Sequence, residues 1–240
     1  MIPRTLLAVL STFAVTDGAF AQESAQEGWD WQFAPYLWSS GITGDVRLGN
    51  IERDIDIKFS DIVDHLAGGV LLHFEGRSGD NGLFGDLIYL SLEPENEIAT
   101  VGGVTEAEFN TTILEAGYLR AGSKIGLEFG VRYWDFEVVL DPATLPRVER
   151  NSDWVDGFVG IRTERPLGQN WSWQSRINVG AGGSDSTFGL QSIFSRELSS
   201  GNSLIFGLKT LLIDYKNDEQ GLPYELDTTF AGATIGFMFD

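Results

Sequence analysis

The amino-acid sequence predicts an all-β protein, a single up-and-down antiparallel transmembrane β-barrel of 10–12 strands. Three observations support this: the chain ends on an apolar, aromatic strand (residues 230–239), strand patterns recur throughout without helical periodicity, and short turns alternate with long acidic loops. A closed barrel has no free edge, so its last strand can face lipid instead of inviting aggregation. A soluble β-sandwich is the alternative, because sheets with one apolar and one polar face also occur there.

The N-terminus has the pattern of a secretory signal peptide. Arg4 supplies the positive charge, residues 5–16 form an apolar stretch too short to span a bilayer as a helix, and Ala19 and Ala21 frame a small-x-small cleavage site. We therefore expect residues 1–21 to be removed and residues 22–240 to form one outer-membrane β-barrel domain.

The composition excludes several classes of function. The formal net charge is −19, and because residues 1–21 contain one arginine and one aspartate the remaining chain keeps that charge. No nucleic-acid partner is expected, since a phosphate backbone requires a basic surface. The chain has no cysteine, which rules out disulfides and thiolate metal sites. The 29 glycines and 7 tryptophans suit a closed all-β sheet.

Candidate strands follow one another along the chain, most of them long enough to cross a bilayer when tilted. They cover residues 28–38, 68–78, 82–92, 106–120, 125–139, 152–165, 171–182, 186–198, 203–215 and 227–239. Short connections lie at residues 79–81, 121–124, 166–170 and 199–202, and long acidic ones at about 93–105, 140–151 and 216–226. Outer-membrane barrels show the same alternation of short periplasmic turns with long external loops.

Residues 39–67 have two interpretations. Residues 44–49 and 54–59 alternate between apolar and polar types, so they form either an extra spanning pair, for twelve strands, or an external hairpin, for ten. The sequence of residues 60–66, which follow this segment's alternating part, predicts a short capped helix.

Alternation along the strands separates an apolar face from a charged one, and we expect the charged face to line the lumen. The predicted pore-lining residues are His73, Glu75, Arg77, Asp86, Glu128, Arg132, Asp156, Arg162 and Arg176. Glu115, Glu164 and Lys209 are provisionally inward as well. Aromatic residues near strand ends predict membrane-interface girdles: Trp29, Trp31, Tyr36, Trp38, Tyr133, Trp134, Trp154, Trp171 and Trp173.

Three functions are compatible with this lumen. The leading one is a narrow porin-like channel whose charged residues select small solutes. The second is a plugged structural or surface-interaction barrel with acidic external loops, in which facing arginines and carboxylates pair. The third is an outer-membrane enzyme, in which His73 and Glu75 would share a face and form a general base. No serine lies in a recognisable nucleophile motif, however. We therefore expect no enzyme, no catalytic residue and no cofactor.

A set of acidic residues could bind a metal ion. It consists of Asp45, Asp54, Asp56, Asp61 and Asp64, with Glu93, Glu95 and Glu97 in a loop. Oxygen ligands in clusters suit calcium, but the ordered spacing of a calcium loop is missing, so no specific metal site is predicted. The expected partners are outer-membrane lipid and lipopolysaccharide, with divalent cations bridging to the acidic loops.

Five segments carry a family resemblance: residues 35–38 (PYLW), 59–61 (FSD), 85–90 (GDLIYL), 130–134 (GVRYW) and 207–215. With them the chain resembles a family of small, mostly uncharacterised outer-membrane β-barrel proteins of Gram-negative bacteria, over nearly all of its length after residue 21. The resemblance implies a barrel fold in the outer membrane of a Gram-negative bacterium. It implies no substrate and no catalytic residues.

Overall fold

The computed structural model describes residues 28–48, 51–92, 104–142, 148–217 and 224–240. The predicted signal peptide lies outside these residues. The elements are β1 (Asp30–Leu48), β2 (Ile51–Ile57), α1 (Phe59–Asp64), β3 (Leu66–Ser78), β4 (Asn81–Leu92), β5 (Val104–Arg120), β6 (Gly126–Pro142), β7 (Val148–Pro166), β8 (Trp171–Gly182), β9 (Ser186–Glu197), β10 (Ser203–Asn217) and β11 (Tyr224–Met238).

Ten antiparallel strands form a closed up-and-down barrel, which confirms the predicted fold class. Each of β3 to β11 pairs with its sequence neighbour, and β11 pairs with β1 to close the ring. The closing ladder runs from Tyr36 opposite Gly236 to Leu48 opposite Tyr224. Closure gives the apolar C-terminal strand a partner on both edges, so it leaves no edge open to aggregation.

The ambiguous segment 39–67 forms a hairpin and not an extra spanning pair. β2 pairs with residues 42–48 of β1. It is an additional strand that lies outside the ring of ten. Among the described residues, β1 pairs with β3 only over residues 30–35. The barrel wall between these two strands is therefore interrupted beyond residue 35 of β1. Helix α1 follows β2, and its Ile62 is buried against the side chains inside the barrel.

The two ends of the barrel differ in their connections. At one end, hereafter the short-turn end, the strands are joined by turns such as Gly79–Asp80, in which Gly79 adopts φ 55°. The C-terminus lies at this end, where Phe33 and Phe239 exchange two backbone hydrogen bonds of 3.0 and 2.9 Å. The opposite, long-loop end carries the β1–β2 hairpin. No helix in the described ranges is long and apolar enough to cross a membrane.

Alternation puts one set of side chains outside and the other inside, as a period of two requires. The outer surface is apolar: Leu127, Val159 and Leu208 are each more than 60% exposed. Charged residues of the same strands are buried, including Glu128 and Arg132 at 1%. A soluble fold would place these two faces the other way round, so the arrangement is that of a barrel surrounded by lipid.

Candidate functional site in the barrel interior

The barrel interior is organised in three layers between its two ends. A cavity opens at the short-turn end and is called the mouth cavity. An ionic network lies beyond it, made of His73, Glu75, Arg77, Asp86, Glu115, Glu128, Arg132, Arg162, Arg176 and Lys209. An aromatic cluster lies towards the long-loop end, made of Trp38, Trp134, Phe136, Trp154, Tyr215 and Phe230.

Arg132 is a buried member of the ionic network. Its Nε and Nη2 donate to one oxygen of Glu115 at 2.9 and 2.6 Å, and Nη2 also donates to Asn178 at 2.9 Å. Nη1 reaches the Thr187 hydroxyl at 3.4 Å. Both charges are almost inaccessible to water, so the pair is a buried ion pair that depends on these hydrogen bonds.

Glu128 joins two further arginines. Its carboxylate accepts from Arg162 Nε at 3.3 Å and pairs with Arg176, whose other contact is Glu115 at 2.5 Å. The guanidinium carbons of Arg162 and Arg176 lie 4.8 and 4.7 Å from the ring centroid of Phe84. The arginines thus bridge strands that are far apart in sequence and gain a favourable contact with the aromatic face.

Asp86 anchors the side of the network nearest to β1. It accepts from Lys209 Nζ at 2.9 Å and from the Tyr36 hydroxyl at 2.7 Å. His73 Nδ1 lies 3.3 Å from Asp86, and His73 Nε2 lies 3.6 Å from Glu75. Both ring nitrogens of His73 therefore face carboxylates that are themselves paired with cations.

Asp156 lies beside the aromatic cluster and accepts hydrogen bonds from it. Its carboxylate accepts the indole N–H groups of Trp134 and Trp154 at 2.9 and 3.2 Å and the backbone N–H of Ser184 at 2.9 Å. Asp156 and Trp134 are both completely buried. Three neutral donors thus satisfy a carboxylate that pairs with no arginine in the described structure.

The aromatic cluster consists of stacked rings. Trp154 lies 4.0 Å from Tyr215 and 5.6 Å from Phe136, measured between ring centroids. Phe230 extends the stack to Trp38, at 6.3 Å from Phe136 and 6.4 Å from Trp38. Aromatic rings in this distance range attract one another beyond their burial.

The cluster corrects part of the girdle prediction. Trp38, Trp134 and Trp154 are buried inside the barrel, and Tyr36 faces the network, so these four are not interface aromatics. The reason is that an inward tryptophan can stack on its neighbours while its N–H reaches a buried acceptor. Trp29, Trp31 and Trp171 are exposed on the outer surface, as a girdle requires.

The mouth cavity has a volume of about 530 Å³. Its charged wall contains Glu75, Arg77, Arg162 and Glu164, and its opposite wall is neutral, with Ala34, Gln191, Ile193, Ser195, Ile205, Thr234 and Met238. His73, Asp86 and Tyr36, which belong to the network or contact it, also line the cavity. Its volume falls in the usual range for small-molecule sites.

All nine residues predicted to line a pore project into the interior, as do Glu115, Glu164 and Lys209. Whether they line a conducting pore stays a prediction. Tyr36, Asn178 and Thr187 also face the interior and were not among the predicted pore-lining residues. All three lie at alternating positions on the inward face of their strands, which is the pattern that could have identified them.

The predicted acidic groups lie near the long-loop end. Asp45, Asp54 and Asp56 are exposed on the β1–β2 hairpin, and Asp61 and Asp64 are exposed on α1. Residues 93, 95 and 97 lie outside the described residues.

Comparison with known proteins shows similarity of fold only. No protein-family model matches the sequence, and no curated protein matches it. The translocator domain of the autotransporter NalP from Neisseria meningitidis aligns over 90% of both chains, with 13% identity and a TM-score of 0.51.

Two other solved structures align with lower TM-scores. The attachment invasion locus protein Ail of Yersinia pestis covers 89% of this chain and 100% of its own, with 10% identity and a TM-score of 0.41. The toluene transporter TbuX of Ralstonia pickettii covers 88% and 63%, with 10% identity and a TM-score of 0.36. These proteins are Gram-negative outer-membrane β-barrels, and the chain shares that general architecture.

Proposed function

We propose that this protein is an integral outer-membrane β-barrel of a Gram-negative bacterium whose lumen is closed and whose long-loop end is an acidic interaction surface. The apolar outer face and the closed ring of strands support membrane insertion. By the usual orientation of such barrels, the short-turn end is periplasmic and the long-loop end external.

One observation carries the closed lumen: the charged side chains at the level of Glu128, Arg132 and Asp156 are almost inaccessible to water. A water-filled channel leaves the groups that line it hydrated, whereas Glu128 and Arg132 are 1% exposed and Asp156 is 0% exposed. Opening a passage at this level would separate the buried ion pairs of Arg132, Arg162 and Arg176, and breaking such a pair typically costs several kcal/mol. The aromatic cluster adds a second closed layer.

The acidic surface at the long-loop end defines the partners in this proposal. Its exposed carboxylates on the β1–β2 hairpin and α1 attract divalent cations, which prefer oxygen ligands. Such cations can bridge to the phosphate groups of lipopolysaccharide. The proposal contains no catalytic step.

A narrow channel for small solutes is the second candidate. The observation that favours it is the mouth cavity, which brings solvent from the short-turn end as far as Asp86 and Arg162. In this alternative the aromatic cluster moves aside during transport. The two candidates differ in whether solutes cross the barrel.

Proteoliposome swelling distinguishes them. Vesicles loaded with a polymer and containing the folded protein are diluted into isotonic solutions of a small neutral sugar or an amino acid. We expect no swelling above that of empty vesicles for the native protein. Vesicles that contain a general diffusion porin at the same protein-to-lipid ratio are the positive control and are expected to swell. Swelling of the native protein at a similar rate would favour the channel.

A further inference from the structure

The mouth cavity is a ready-formed pocket with one charged and one neutral wall. It is open to solution at the short-turn end and ends at the ionic network. We propose that it is a binding site for a small zwitterion with an apolar side chain, such as an amino acid or a short peptide. The site exists whether or not the lumen conducts.

The charged groups that line the cavity are balanced, with Arg77, Arg162 and Arg165 against Glu75, Asp86 and Glu164. Arg77 pairs with both Glu75 and Glu164, and Arg162 pairs with Glu75 at 2.5 Å. A ligand with only negative charge would meet carboxylates here, and a ligand with only positive charge would meet guanidinium groups. A ligand carrying both signs can satisfy both kinds of group, because specificity arises from repulsion of the wrong charge as well as attraction of the right one.

Two groups at the rim retain bonding capacity toward such a ligand. Arg77 uses Nε and Nη2 for its carboxylates, which leaves Nη1 available within the described structure. Glu164 accepts from Arg77 and from Gln174 through Oε1, which leaves Oε2 available among the described contacts. Both side chains are partly exposed, at 30% and 44%, so a ligand can reach them. A ligand carboxylate would bind Arg77, and a ligand ammonium would bind Glu164.

The neutral wall supplies the apolar half of the site. Ala34, Ile193 and Ile205 offer aliphatic contacts, and Gln191 and Ser195 offer hydrogen bonds to amide groups of a ligand.

Calorimetric titration of the folded barrel in detergent tests the proposal. The probe is a leucine-containing dipeptide with free termini, and the comparison is the same dipeptide acetylated at its N-terminus and amidated at its C-terminus. We expect the free dipeptide to bind, and the blocked one to bind about tenfold or more weakly, since a hydrogen bond to a charged group contributes about that factor. Equal binding of both peptides, or no binding of the free dipeptide, would overturn the proposal.

Substitutions locate the binding. Arg77→Gln and Glu164→Gln should each weaken binding of the free dipeptide about tenfold. Arg120→Gln is the matched control, because Arg120 lies at the same barrel end but pairs with Asp80 outside the cavity. An effect of Arg120→Gln equal to that of Arg77→Gln would contradict the assignment.

A second pair of variants tests the cavity without touching its charges. Ser195→Trp places a large ring in the mouth cavity and should abolish binding of the free dipeptide. Ser200→Trp, in the exposed turn at the same end, should leave binding unchanged. Undiminished binding to a folded Ser195→Trp protein would show that the ligand binds elsewhere and would overturn the proposal.

Discussion

Replacing Arg132 by methionine removes a buried cation from the ionic network. Methionine keeps much of the length of the arginine side chain but removes its charge and its hydrogen bonds. The substitution leaves Glu115 without the two bonds of 2.9 and 2.6 Å that Arg132 donates. The Glu115 carboxylate is then a buried charge with one remaining cation, Arg176 at 2.5 Å.

The structure sets the size of the effect. Removing one partner of a buried ion pair typically costs about 3–5 kcal/mol. Because Glu115 keeps Arg176, we expect the lower end, about 3 kcal/mol of unfolding free energy for Arg132→Met. Adding Glu115→Gln to this variant should recover part of the loss, since it removes the incompletely paired charge.

The assay is equilibrium unfolding in urea of protein folded into lipid vesicles, followed by tryptophan fluorescence. The control is Arg120→Met, because the Arg120–Asp80 pair is exposed on both sides and should contribute less than about 1 kcal/mol. Equal losses of stability in Arg132→Met and Arg120→Met would refute a structural role for the network. A double variant less stable than Arg132→Met would refute the explanation by an uncompensated carboxylate.

Three further predictions concern other parts of the barrel. Trp154→Ala should lower the unfolding free energy in the same urea assay by about 3–5 kcal/mol, as for other buried aromatics, and a loss below 1 kcal/mol would contradict tight packing of the aromatic cluster. Gly207→Ala should be destabilising by about 1–3 kcal/mol, because its methyl group would lie 2.0 Å from a backbone oxygen of the adjacent strand. Gly157→Ala is the control and should be neutral in the same assay, because the space around Gly157 is open. Equal effects of the two substitutions would argue against the close approach of the strands at Gly207. In hydrogen exchange followed by mass spectrometry, the backbone amides of residues 36–41 should exchange faster than those of residues 42–48. Of these two ranges, only residues 42–48 of β1 pair with a strand on both edges. Slower exchange of residues 36–41 would contradict the interruption of the wall between β1 and β3.

Alternation made most of the barrel predictable from sequence. A period of two fixes which side chains share a face, so Glu128 and Arg132 could be assigned to the interior before the structure was known. The same rule placed Trp134 on the face of Arg132. The competing expectation that tryptophan marks the membrane interface led to the wrong location for Trp134, because the rule cannot tell an interface indole from one that donates to a buried carboxylate such as Asp156.

The remaining features depend on contacts between residues distant in sequence. Residues 54–57 alternate as well as any spanning strand, so alternation alone could not show that β2 pairs with β1 only at the long-loop end. Closure of the lumen depends on side chains that meet across the barrel, such as Lys209 with Asp86, 123 positions apart. Local patterns specify the face of each residue but not the partner that it reaches.

Single-channel conductance in a planar bilayer tests the closed lumen most directly. The sample is a protein of residues 22–240, shown to be folded by a change in electrophoretic mobility on boiling, with a general diffusion porin measured alongside it as the positive control. We expect no conductance steps for this protein under conditions in which the porin gives discrete steps. Steps of the native protein with a reproducible cation or anion preference would contradict a closed lumen and establish the ionic network as the lining of a pore.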